Sequence, residues 1–213
     1  VTKGDGRFVN DSSTSITNKS DWYSAMQSVL GQSGTPLKGA LYQAGKYFEG
    51  TSDTGAYGPE SGSSQYSCRQ NFAILTTDGY WNDNSNYTAV NEQDNSAGSA
   101  ITGPGGKSYT YAPKTPYSSS DSNNLADVAM YFWKRDLRTD SYMTNNVPVS
   151  TDSDAHPKDG DPAFWQHMTT FSISIGLAGT KGWSSVDGVP ADASWPTVSS
   201  GGETTIDDLL HAA

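Results

Sequence analysis

The run Phe72-Ala73-Ile74-Leu75, stopped shortly after by Asp78-Gly79, constrains the fold more than any other stretch of these 213 residues. It is too short for a helix, has β-favouring Thr beside it and ends in a turn dipeptide. It therefore reads as an interior strand buried on both faces. A second run, His167 to Leu177, carries Phe171, Ile173 and Ile175 alternating with Ser and Thr. Helical segments lie between the two runs, so the strands need crossovers, and a parallel sheet of the α/β class follows. Ligands gather at the carboxyl ends of such strands, which puts Asp78 where chemistry is expected.

Apolar spacing supplies the helices. Leu37, Ala40, Leu41, Ala44, Tyr47 and Phe48 form one stripe, with Thr35 as cap, Pro36 at the first helical position and Gly50 as the stop. Asp21 to Leu30 has the same spacing, with Ser20 as cap, and reads as a surface helix. Leu125 to Leu137 is a third helix, capped by Asn123 or Asn124 with basic residues in its last turn, and Thr204 to His211 begins a final one. The polar tract Asn82 to Asn124 is too long for a connector. It reads as an insertion, with a small hairpin around Lys107 to Tyr111.

The length suits one domain over residues 1–213. A net charge of −10 argues against nucleic acid or an anionic membrane as partner. The acids are 19 Asp and only 4 Glu, which fits a loop-rich chain able to hold Ca²⁺ or Mg²⁺. Cys68 is the lone cysteine, so it is either a small buried residue or bonded to a cysteine outside these residues or in another chain. No apolar run reaches the roughly 18 residues of a membrane span. The start has neither an initiator Met nor a leader pattern, as expected of a mature or excised piece.

Catalysis is not expected. His156, His167 and His211 form no metal-ligand pair, and no nucleophile-elbow, phosphate-loop or HExxH motif occurs. His167, at the head of a strand, reads as a structural hydrogen bonder. The tract Asp152 to Asp161 departs from EF-hand spacing and reads as a solvated loop.

Five blocks in order resemble one family. They are Gly34-Thr35-Pro36-Leu37 with Ala40-Leu41; Cys68 to Phe72 running into Thr77-Asp78-Gly79-Tyr80-Trp81-Asn82; Leu125 to Tyr131 with Asp136-Leu137-Arg138; Trp165 to Met168 with Gly176; and Ile206 to Leu209 with His211-Ala212-Ala213. Together they are similar to PilY-type type IV pilus assembly and tip adhesin proteins, in the part that resembles a von Willebrand factor A domain. The resemblance implies a doubly wound, mainly parallel sheet with long loop insertions. It also implies a rim site for Mg²⁺ or Ca²⁺, built from an Asp-x-Ser-x-Ser loop, a Thr and an Asp. The Thr falls on Thr35 and the Asp on Asp78. Asp11 to Ser15 fits the loop's letters but lacks the strand before it, so the first strand and the true loop are expected to lie outside the chain and the domain to be incomplete.

Bland readings stand beside these. Thr35 serves equally as a helix cap, and Asp78 as a turn residue before Gly79. Tyr80 and Trp81 form a binding rim or pack on the insertion. The resemblance implies an extracellular protein of the pilus tip or cell surface. Its partners would be minor pilins or other tip proteins and a host or abiotic surface ligand; the alternative is a scaffold module with no working metal site.

Overall fold

The computed structural model describes residues 17–29, 34–52, 55–85, 87–150 and 160–213. Asp11 to Ser15 and the tract from Asp152 to Asp159 lie outside them. In chain order the elements are α1 (Asn18–Ser28), α2 (Leu37–Phe48), β1 (Phe72–Thr77), β2 (Ile101–Gly103), β3 (Lys107–Tyr109), α3 (Leu125–Trp133), β4 (Thr169–Ser174) and α4 (Thr204–His211).

β1 and β4 run parallel, with Phe72 opposite Thr169 and Thr77 opposite Ser174, so both end at the same edge. This is a small α/β sheet, as the crossover argument requires. Helices α2, α3 and α4 all contact the pair. The strand is not buried on both faces. Ala73, Leu75 and Thr77 point into the core, whereas Phe72, Ile74, Phe171, Ile173 and Ile175 are exposed, Ile74 at 65%. Side chains alternate across a strand, and no described element covers the outer face, so half of the apolar run is left bare.

The core joins Leu41 of α2, Leu75 of β1, Leu125, Val128 and Phe132 of α3, and Leu209 of α4. α2 and α3 meet closely because Gly45 lies on the Phe132 ring, where a Cβ would overlap it. The segment from 82 to 124 is not merely surface decoration. Its Val90 is fully buried in the main core, and Ile101 packs with Phe164 and Trp165 in a second one. β2 and β3 form the small hairpin, paired Ile101 to Tyr109, earlier in the chain than the spacing placed it.

Caps follow from where donors find oxygen. Asn124 caps α3 in a reciprocal box with Asp127. α3 stops at Trp133, short of Leu137, because the chain turns to pair with the approach to β4: the Met168 amide donates to Phe132 O and the Leu137 amide to Gln166 O. Lys134 and Arg135 thus lie past the last turn. Thr35 is not the cap of α2. Pro36 holds that position, and the Gly39 amide donates instead to the Asp83 carboxylate at 2.7 Å. α1 keeps its apolar residues on the surface as expected, with Met26 exposed.

The one-sided sheet sets contrasting costs for neighbouring residues. Leu75→Ala should lower unfolding free energy by about 2–5 kcal/mol, whereas Ile74→Ser should change it by no more than about 0.5 kcal/mol. Equal losses in urea melts of the two variants would contradict the burial pattern.

Candidate functional site

The loop leaving β1 is held at three points. Asn82 exchanges bonds with Thr35: its Oδ1 accepts from the Thr35 amide at 2.6 Å, and its amide donates to Thr35 O at 3.2 Å. Asp83 takes the Gly39 amide, in the first turn of α2, and the Ser85 amide. Trp81 Nε1 donates to Thr205 O at the start of α4, and Gly201 donates to Trp81 O. The carboxyl edge of the sheet therefore gathers the turn before α2, the loop after β1 and the entry to α4. Thr77 Oγ1 donates to Gly79 O and tightens the turn, leaving Asp78 exposed and Tyr80 half-buried at the tip.

Beneath that edge, acids hold backbone rather than bases. Both oxygens of the buried Asp208 on α4 reach α3, accepting from the Leu125 amide at 2.9 Å and the Ala126 amide at 3.1 Å. Asp207 does the same for the turn at Thr180 and Lys181. Lys38, also buried, donates to Asn123 O next to the start of α3. Burial pushes the Asp208 carboxyl up to about 7, outweighing its two amides.

A second group lies against α3. One carboxylate oxygen from each of Glu92, Asp94 and Asp127 falls within 4.8 Å of the other two. Asp127 accepts from the Gln93, Asp94 and Asn124 amides, and Asp94 from the amide and hydroxyl of Ser119. Burial, with neighbouring acids adding to it, pushes Asp94 up to about 7 and Asp127 up to about 6. His211, at the end of α4, has Nε2 3.7 Å from Asp94 Oδ2, and burial holds its ring down to about 4.

Comparison with known proteins gives the chain its relatives. The type IV pilus biogenesis factor PilY1 of Pseudomonas aeruginosa strain PAK is 35% identical over 84% of this chain, and those of strains PAO1 and UCBPP-PA14 are 33% identical over the same share. The chain is thus homologous to one part of PilY1. It spans about 16% of the length of these relatives. No family model matches the chain, and no solved structure matches it either.

Within this PilY1-like chain, the sequence-derived residues have different fates. Thr35 and the loop carrying Asp78 are brought together at one edge through Asn82. Tyr80 stands at the tip beside them. Trp81 does not form a rim: it is buried in the core, its indole committed to α4. Cys68 is exposed and unbonded within the chain. Thr35 and Asp78 offer one hydroxyl and one carboxylate, short of the octahedral oxygen set Mg²⁺ needs, and Asp78 joins no acidic group among the described residues. His167 is the structural bonder expected, with Nδ1 toward Trp165 O and Nε2 3.0 Å from Asp161. Glu92, Asp94, Asp127 and His211 were not foreseen as a group, since 119 positions separate the first from the last and no spacing rule links them.

The raised carboxyls give stability a direction with pH. Asp94, Asp127 and Asp208 bind protons more tightly folded than unfolded, so their contribution is complete below their unfolded value of 3.8 and is lost as pH rises through about 6 to 7. His211 opposes them: its contribution is complete above 6.5 and is lost as pH falls towards about 4. Three acids outweigh one imidazole, so the urea midpoint in chelator should fall from about pH 5.5 to about pH 8, and Asp208→Asn should flatten that slope. A midpoint rising across the interval would contradict the assignment.

Proposed function

We propose that the chain forms a von Willebrand factor A-type domain with a doubly wound, mainly parallel sheet. In this reading it serves a type IV pilus factor by binding a partner or surface ligand rather than by turnover. The observation that carries the reading is the 35% identity to a PilY1 across 84% of the chain. The parallel strands ending at one edge, and the tie between the Thr35 turn and the Asp78 loop, support it. The Thr35 hydroxyl and the Asp78 carboxylate are then two donors toward Mg²⁺ or Ca²⁺, and Tyr80 is the aromatic beside them. Minor pilins or other tip proteins, together with a host or abiotic surface ligand, are the partners proposed, at the pilus tip or cell surface. Among the described residues no helix is long and apolar enough to cross a membrane.

One observation favours a second reading, a scaffold within the tip complex that has no working metal site. Trp81, Asn82 and Asp83 are all spent on internal bonds, which is how a loop that only positions other elements is built. Calorimetry separates the two. Adhesion through the rim predicts heat on adding Mg²⁺ or Ca²⁺ that Asp78→Ala removes, together with weakened capture of minor pilins by Tyr80→Ala. Silence from the unaltered chain, with pilin capture retained in both variants, would establish the scaffold instead.

A further inference from the structure

The β1 and β4 pair turns its larger apolar side chains outward. Towards the helices it offers Ala73, Leu75 and Thr77 from β1 and Thr170 from β4. Away from them it presents Phe72, Ile74, Phe171, Ile173 and, just past the end of β4, Ile175. A sheet that packs on one side and meets water on the other reads apolar in and polar out. In β4 that pattern is reversed, with Thr and Ser on the helix side and Phe and Ile facing out. The register joins the outer residues into one patch: Ile74 lies opposite Phe171, Thr76 opposite Ile173, and the Phe72 and Phe171 rings stand 5.9 Å apart. None of these side chains is charged, although the chain has a net charge of −10.

The size of the patch indicates what could cover it. Exposure of the five residues runs from 48% at Phe171 to 65% at Ile74. At roughly 100 Å² per side chain they leave about 500 Å² of apolar surface, close to the largest patch a soluble monomer usually shows. Two copies laid face to face would remove about 1,000 Å² from water through these residues alone, the size at which a specific interface begins. The patch also suits itself. Its polar members are Thr hydroxyls, so it holds no charge to select a foreign partner, and two such faces can stack about 10 Å apart as the sheets of a sandwich do.

We propose that the outer face of the β1 and β4 pair is a dimer interface, covered by the same face of a second copy of this chain across a twofold axis. The dimer is a sandwich of two sheets with the helical layers outermost. Its driving force is removal of the apolar face from water, and the like charges of the two copies oppose it, so association tightens as salt screens them. A partner held by opposite charge would respond in the other sense.

The test is sedimentation equilibrium of the whole chain at low and high salt, over protein concentrations from about 1 to about 500 µM. Reductant keeps the exposed Cys68 from linking copies. The expected result is a monomer–dimer equilibrium that tightens with salt. Ile74→Asp should weaken it at least about tenfold, because each copy would bury an unpaired carboxylate, and Ile173→Asp should do the same from the neighbouring strand. Met26→Ser, on the exposed apolar side of α1, should leave it unchanged. At the lowest concentration both Asp variants should melt in urea like the unaltered chain. Four results would each overturn the interface: a chain monomeric at the highest concentration, a dimer indifferent to both Asp variants, a dimer lost in Met26→Ser instead, or a monomer whose urea midpoint collapses in both Asp variants. The last would mean that the face is covered within one copy. The pilus reading survives any of them, because it rests on sequence identity.

Discussion

Asp208 is the interaction on which the layer of helices depends. A carboxylate from one helix reaches the first two amides of another, so α4 supplies the oxygen that α3 cannot supply itself. A helix start buried without partners for its amides is costly, and the cost of burying the acid is offset only because both of its oxygens are used. Asp83 does the same for α2 from the loop after β1, and Asp127 for the loop before it on the chain's path into α3. The dominance of Asp over Glu is explained by this use: a short carboxylate reaches backbone amides with little rotamer freedom to lose.

The same economy shapes the carboxyl edge of the sheet. Trp81 and Asp83 point inward and, with the exposed Asn82, tie the loop to α4, to α2 and to the turn before it, while Asp78 and Tyr80 stay accessible at the tip. The tip left there is small and its base is held by several hydrogen bonds. The Glu92, Asp94 and Asp127 group meets at the first turn of α3, reached by a different stretch of chain.

Much of the frame was legible in the sequence. α2 begins and ends, and α4 begins, where apolar spacing places them, and Asn124 is one of the two caps the sequence offered for α3. Both strands were found, and so was their parallel pairing. What failed was sidedness. Phe72 and Ile74 look like core in a list of apolar residues, and only tertiary packing decides which face of a strand is covered. Trp81 misled for the converse reason: an aromatic next to a turn suggests a rim, but its indole finds Thr205 O across 124 positions. The pairing of His211 with Asp94 was invisible because α4 must first dock on α3, and nothing local to either residue encodes that docking.

The three moorings of the loop after β1 also determine how it would answer a mechanical load. A pull on Asp78 or Tyr80 is shared among the end of β1, the first turn of α2 and the entry to α4, whose hydrogen bonds must part together rather than one after another. The Gly45 seat on Phe132 passes the strain onward from α2 into α3. A tether fastened at this point would be resisted by the whole helical layer in shear, not by the stretch of a single loop.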